Sequence, residues 1–131
     1  MKKFFIDLYQ IRPSQLFLDQ DKVDRLKDSF DPLNIRGNMP LPIRRNGGEF
    51  YFADGHARAF LYDLNKISLI PVFLDEDDSD ADLYQIRLKW CREQGIVFIS
   101  DLKERILPHG QFETRWTRRC RDEAESLEKR L

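Results

Sequence analysis

The first half of the chain alternates short apolar stretches with polar breaks, a pattern typical of a small sheet joined by short helices. Branched and aromatic residues predict strands over residues 4–11, 41–45, 49–53 and 69–74. Asn46-Gly47-Gly48 predicts a hairpin, because Asn and Gly both tolerate positive φ. Pro40 and Pro42 predict that the strand beside them lies at an edge or begins there.

Two helices are predicted between these strands. Val23, Leu26 and Phe30 have helical spacing, and Asp19 or Asp21 is placed to cap that helix. The second helix covers residues 55–65, and its apolar face consists of Ala57, Phe60, Leu61 and Leu64.

The pattern becomes helical throughout after the acidic run of residues 75–82. Leu83, Ile86 and Trp90 share one face of the first helix there, and Ser100 is placed to cap a short second one. A last helix from about residue 110 carries a narrow apolar stripe of Phe112, Trp116, Cys120, Ala124, Leu127 and Leu131. Both tryptophans therefore lie on helices whose apolar faces need partners.

These patterns together predict an α+β fold with a small mixed sheet. Residues 1–78 form the predicted core and residues 79–131 a helical extension. Because the apolar faces of the extension are too wide to remain in water, we expect it to pack on the core as one folded unit.

Composition restricts the classes of function. The chain has 131 residues, 34 % of them charged, and a net charge of −1, which argues against a nucleic-acid partner. Cys91 and Cys120 lack metal-binding spacing and fall in helical patterns, so we expect buried free thiols. No apolar run approaches the roughly 20 residues that cross a membrane, and Asp7 comes too early for a signal peptide. We expect a cytoplasmic protein with no membrane partner.

The most informative segment covers residues 52–60, where an apolar strand leads through a glycine into a helix. Gly55 lets the backbone approach a ligand closely. A helix N-terminus adds unpaired N–H groups and the positive end of the helix dipole. The segment therefore predicts an anion or phosphate site.

Each polar residue of this segment has two interpretations. Asp54 either caps the helix through the amide of His56 or Ala57, or holds a metal ion or orients a hydroxyl. His56 either donates to phosphate oxygen or lies on the surface, and the dipole should keep it neutral. Arg58 either pairs with Asp63 or grips phosphate oxygens.

The order of these elements resembles the ParB/sulfiredoxin-like superfamily over residues 4–75. The resemblance rests on Pro-Leu-Pro-Ile-Arg-Arg, the hairpin, Phe-Ala-Asp-Gly-His-Ala-Arg-Ala and Ile-Pro-Val-Phe. Partition proteins of that superfamily carry Gly-Glu-Arg-Arg at the turn and bind CTP, whereas sulfiredoxins carry Gly-Cys-His-Arg and use ATP. A third branch, which includes free-serine kinases, carries Asp-Gly-His-His-Arg and is the most similar.

The departures from these patterns are informative. His56 occupies the position of the sulfiredoxin cysteine, so that thiol chemistry has no nucleophile here. Ala57 replaces the second His of the kinase branch, which weakens the case for a kinase. The chain also has no room for the DNA-reading and dimer domains of a partition protein.

The resemblance implies a nucleoside triphosphate, ATP or CTP with Mg²⁺, as the ligand. The predicted phosphate-binding residues are Gly55, His56, Ala57 and Arg58. Asp54 and His56 are the predicted catalytic residues. Asp75 joins Asp54 as a predicted metal ligand, although the acidic run also suits a solvated loop.

Three classes of function follow from this site. The first is a small-molecule kinase that phosphorylates a hydroxyl-bearing substrate, or a nucleotide hydrolase. The second is a non-catalytic nucleotide sensor or interaction module that docks a protein partner through the C-terminal helices. DNA binding or cleavage is the third, and the net charge of −1 disfavours it.

Overall fold

The computed structural model describes residues 2–130, so Met1 of the predicted core and Leu131 of the predicted stripe lie outside the described residues. It has the predicted α+β fold, with a five-stranded mixed sheet and a separate parallel pair of short strands. The strands are β1 (Lys3–Asp7), β2 (Ile11–Arg12), β3 (Leu18–Asp19), β4 (Leu41–Asn46), β5 (Glu49–Phe52), β6 (Leu69–Leu74) and β7 (Ile106–Leu107). The helices are α1 (Gln20–Ser29), α2 (His56–Leu64), α3 (Ala81–Glu93), α4 (His109–Phe112) and α5 (Arg118–Lys129).

The main sheet has the order β1-β6-β4-β5-β2, which places β4 at the centre. Of the two predicted positions for these prolines, the strand start is the one observed, because β4 begins at Leu41, and the strand itself is not at an edge. Pro42 lies beyond the last registered pair of the β4–β5 ladder, Ile43 with Phe52, so its missing N–H removes no hydrogen bond from that ladder. The Ala53 carbonyl, next to this end of β5, accepts instead from the Tyr84 hydroxyl.

The single strand predicted over residues 4–11 is two strands on opposite edges of the sheet. The side chain of Asp7 accepts from the Tyr9 amide at 2.9 Å and starts a 3₁₀ turn, Leu8–Gln10. β1 then pairs antiparallel with β6, while β2 pairs parallel with β5. The turn carries the chain from one edge of the sheet to the other.

The local predictions for the hairpin and the first two helices are confirmed. Gly47 has φ of 62°, and Asn46 faces Glu49 across the turn. Asp19 caps α1 by accepting from the Asp21 amide at 3.1 Å. The buried face of α2 adds Ala59 and Tyr62, because the helix is covered on more than one side, but Leu64, which was predicted on that face, is exposed.

The two faces of the sheet have separate cores. Phe52 of β5 belongs to the main cluster, which α2 covers, together with Ile43 and Val72. Tyr51 and Ala53 point to the other face and pack with Tyr84 and Leu88 of α3. The second half of β5, Tyr51 and Phe52, is thus buried and covered by a helix on each side.

The C-terminal extension contributes to the same main cluster as the sheet. Ile99 and Leu102, in a 3₁₀ turn, and Trp116 are buried within it. Ser100 lies inside this turn and does not cap it, because the Asp101 carboxylate accepts from the amides of residues 97 and 98. β7, which pairs with β3, was not predicted, since two residues show no periodicity. The boundary at residue 78 stays a prediction.

A π turn, Glu113–Thr117, joins α4 to α5 within one long C-terminal helix. It carries Trp116, whose ring meets the ring of Trp90 edge-on, with 6.0 Å between the two ring centroids. Among residues 2–130, no helix has the length and apolar character needed to cross a bilayer.

Replacing Ile99 by Ala should lower the free energy of unfolding by about 2–5 kcal/mol, because a fully buried side chain would leave a cavity. Urea unfolding should remain a single transition by tryptophan fluorescence and by far-UV circular dichroism. Leu33→Ala, at a side chain 74 % exposed, is the control and should change stability by less than about 0.5 kcal/mol. Two separate transitions in either variant would show that the extension folds independently.

Candidate functional site

Gly55 forms the turn that sequence analysis predicted at the start of α2. Its φ is +78°, the left-handed region, and it precedes the first helical residue. A Cβ added at this position would lie 2.7 Å from Cδ2 of Leu41. Both the backbone conformation and the space therefore require glycine here.

Asp54 does not cap α2, so that interpretation was wrong. Its Oδ1 accepts from the Gly55 amide at 2.7 Å, one residue before the helix, and the side chain is exposed. No side chain of residues 2–130 caps α2, so the first turn of the helix has N–H groups that can donate to an added acceptor. The N-terminus of α2 thus has the character of an anion site.

His56 is buried, with only 2 % of its surface accessible, so the surface position that was one of its two interpretations is wrong. The Ser14 amide donates to its Nε2 at 2.8 Å, and the Ser14 hydroxyl donates to the Phe52 carbonyl at 2.6 Å. A backbone amide can only donate, so Nε2 must accept. The neutral ring therefore carries its proton on Nδ1.

Nδ1 of His56 has no hydrogen-bond partner among the described residues, although it is buried. Burial, followed by the charges of Arg87 and Lys22, holds the pKa of His56 well below 6.5. The expected neutral state is thus supported, but burial and not the helix dipole is the main cause. An unsatisfied buried donor costs about 1–3 kcal/mol. The ring presents an N–H that needs an acceptor.

His56 lies on the wall of a cleft of about 690 Å³ between the sheet, the N-termini of α1 and α2, and the C-terminal helix. The predicted residues Asp54, Ala57 and Asp75 also line it. The other charged side chains of the cleft are Asp19, Lys22, Arg44 and Arg87, and the aromatic ones are Phe73, Tyr84, Phe112 and Trp116. Gly55 and Arg58 are not among the lining residues.

Arg87 is the main cation that sequence reasoning missed. Its Nε donates to the Ser14 carbonyl at 2.8 Å, and its guanidinium carbon lies 4.3 Å from the Tyr84 ring centroid and 5.1 Å from that of Trp116. No carboxylate of residues 2–130 forms an ion pair with it. Arg87 is three residues after Tyr84, so the sequence indicates that the two share a helix face. No pattern among neighbouring residues predicts the contact of Arg87 with Ser14.

Arg44 neutralises the acidic side of the cleft. It donates to Asp75 at 3.2 Å and to Asp80 at 2.8 Å, and its guanidinium carbon lies 4.6 Å from the Tyr84 ring centroid. Asp75 is thus held by a cation. Neither Asp54 nor Asp75 belongs to a group of three ligand side chains in the described part of the chain. Their shared metal site stays a prediction.

Arg58 lies over the turn and not in the cleft. Its Nη1 donates to the Met39 carbonyl at 3.4 Å, and burial lowers its pKa. The alternative pairing with Asp63 is not formed, and Asp63 instead accepts from the Tyr9 hydroxyl. Arg58 therefore lies outside the cleft that His56 lines, although only Ala57 stands between the two in the motif.

Both cysteines are free thiols, as predicted. Burial raises the pKa of Cys91 to about 12 and also raises that of Cys120, which is only half-buried. Neither thiol has the lowered pKa of a nucleophile.

No family model matches this chain, and no curated protein matches it. Among solved structures, it is similar to the crystal structure of protein Atu1540 from Agrobacterium tumefaciens, with a TM-score of 0.47 and 10 % sequence identity. The similarity covers 75 % of this chain and 50 % of that one, so this chain spans about half the length of that protein.

Replacing Gly55 by Ala should destabilise the protein by more than about 2 kcal/mol, because a left-handed backbone and a contact with Leu41 oppose a Cβ. Gly47→Ala is the matched control: its φ is also positive, but nothing lies within 4 Å of the added Cβ. It should cost about 1–2 kcal/mol. Equal losses in thermal or urea unfolding would contradict the packing argument.

Stability should fall as the pH decreases below about 6.5, because the unfolded state then takes up a proton that buried His56 resists. The loss approaches about 1.4 kcal/mol per pH unit until the folded-state pKa is reached. His56→Gln keeps an acceptor for Ser14 and does not titrate, so its unfolding free energy should show a smaller slope between pH 7.5 and 5.5. Parallel slopes would argue against a buried neutral ring.

Proposed function

We propose that the cleft beside the N-terminus of α2 binds the phosphate groups of a nucleoside triphosphate. The observation that carries this proposal is the buried His56 at the start of α2, whose Nδ1–H finds no acceptor, and whose helix finds no side-chain cap, among the residues that the structure describes. A phosphate oxygen would accept from that N–H and from the free amides. Arg87 and Lys22 would supply positive charge on the same cleft.

Arg87 is better placed for this role than Arg58, the cation predicted from the motif. Its guanidinium is held by the Ser14 carbonyl and by stacking on Tyr84, without a carboxylate to neutralise it. A cation fixed in this way loses little side-chain entropy when it grips an anion.

Phosphoryl transfer fits this arrangement, because it depends mostly on positioning and charge stabilisation. His56 would act as a hydrogen-bond donor and not as a base, since its Nε2 already accepts from Ser14. Asp54, exposed at the cleft, fits a Mg²⁺ held by one carboxylate and the phosphates, or a role in orienting a hydroxyl. Asp75 fits such a metal poorly, because its carboxylate already forms an ion pair with Arg44. Mg²⁺, when bound, neutralises phosphate charge.

We therefore favour a small-molecule kinase or nucleotide hydrolase, using ATP or CTP. The second candidate, a sensor that docks a protein through its C-terminal helices, is supported by Phe112 and Trp116, which form part of the cleft wall. Membership of the ParB/sulfiredoxin-like superfamily stays a prediction. A cytoplasmic location agrees with two free thiols, which a reducing compartment maintains.

The experiment measures binding of ATP, CTP and GTP, with Mg²⁺, by isothermal titration calorimetry. Arg87→Gln should weaken the binding of whichever triphosphate binds most tightly by about 1.5–3 kcal/mol, roughly 10- to 100-fold in Kd, because a charge-assisted hydrogen bond is lost. His56→Gln should also weaken binding, since it removes the Nδ1–H but keeps an acceptor for Ser14. Arg58→Ala is the comparison and should have little effect.

If Arg58→Ala abolishes binding while Arg87→Gln does not, the motif binds phosphate and the proposed cleft does not. If no triphosphate binds, the proposed function is wrong. Release of phosphate, or a phosphorylated product from a panel of small hydroxyl compounds, would distinguish the enzyme from the sensor.

A further inference from the structure

A group of side chains that can ligate a metal ion lies where the C-terminal extension meets the start of α1. The ligand atoms of Asp19, Asp21 and His109 all lie within 4.8 Å of one another. The pairing of Asp19 with Leu107 in the β3–β7 ladder brings His109 to Asp19 across 90 residues of chain. No other such group of three occurs within residues 2–130.

We propose that Asp19, Asp21 and His109 form a binding site for a divalent transition-metal ion, of the class of Mn²⁺, Co²⁺ or Ni²⁺. One imidazole nitrogen with two carboxylates is a ligand set that these ions accept, whereas Mg²⁺ and Ca²⁺ prefer oxygen ligands throughout. Asp19 also lines the cleft of the proposed triphosphate site, whereas Asp21 and His109 do not, so the metal proposal rests on a different set of side chains.

The three ligand side chains already converge. Nδ1 of His109 lies 2.8 Å from Oδ2 of Asp19, which is the length of the hydrogen bond that joins them. A bound ion would take the place of the hydrogen in this contact, and solvent would complete its coordination.

The surrounding contacts orient the ligands before any ion binds. Asp19 is held by the Asp21 amide, and only 11 % of its side chain is exposed. The second ring nitrogen of His109 faces Oε1 of Glu113 at 3.8 Å. Metal-bound imidazoles characteristically present their other nitrogen to a carboxylate, so Glu113 occupies the position of such a partner.

The charges around the site also favour a cation. Asp19, Asp21 and Glu113 place three carboxylates around one imidazole. The same carboxylates attract a proton, and the hydrogen bond to Asp19 raises the pKa of His109. An ion would replace that proton, so we expect binding to be tighter at pH 8 than at pH 6.

The test uses the full chain, freed of metal with a chelator and then titrated with Mn²⁺, Co²⁺ or Mg²⁺ by calorimetry. Mn²⁺ and Co²⁺ should bind, and Mg²⁺ should bind at least about 10-fold more weakly than either. His109→Gln and Asp21→Asn, both at exposed positions, should each weaken Mn²⁺ binding about 10-fold or more.

Asp24→Asn is the matched control, because Asp24 is also an exposed acid of α1 but is not a member of the group. It removes the same charge as Asp21→Asn and should leave the Kd for Mn²⁺ within about twofold. Circular dichroism checks that each variant is folded. The proposal is overturned if His109→Gln binds Mn²⁺ as tightly as the unaltered chain, if Asp24→Asn weakens binding equally, or if no ion binds.

Discussion

The hydrogen bond from the Ser14 amide to Nε2 of His56 determines the arrangement of the cleft. It fixes the tautomer of a fully buried ring and so decides that Nδ1 carries the proton. It also ties the segment after β2 to the first residue of α2. The Ser14 carbonyl is left in position to receive Arg87 from α3. One serine thus bonds to two residues, His56 and Arg87, that line the same cleft.

A series of stacked side chains extends this arrangement to the C-terminal helix. Tyr84 contacts the guanidinium groups of Arg44 and Arg87, and Arg87 also contacts Trp116. Stacking on an aromatic ring restrains a guanidinium without neutralising its charge. The second half of the chain therefore contributes charge and shape to the cleft, and is more than a cover for the sheet.

The elements predicted correctly are those determined by neighbouring residues. Asn46-Gly47 forms a hairpin because of its own backbone preferences, Asp19 caps α1, and Gly55 begins α2. Local pattern could not place a strand whose partners are distant: β4 is central because it pairs with both β5 and β6. The predicted strand over residues 4–11 divided because Asp7 bonds the Tyr9 amide and the two pieces pair with different strands.

Residue order alone was enough to predict the α+β class and the turn at Gly55, because periodicity, glycine and caps act within a few residues. It was also enough to single out Asp54, His56 and Ala57, which the structure places on one cleft. The burial of His56, and the presence of Arg87 rather than Arg58 on its cleft, became visible only in the folded chain. Those outcomes depend on contacts such as Ser14 with Arg87, 73 residues apart, which no local pattern encodes.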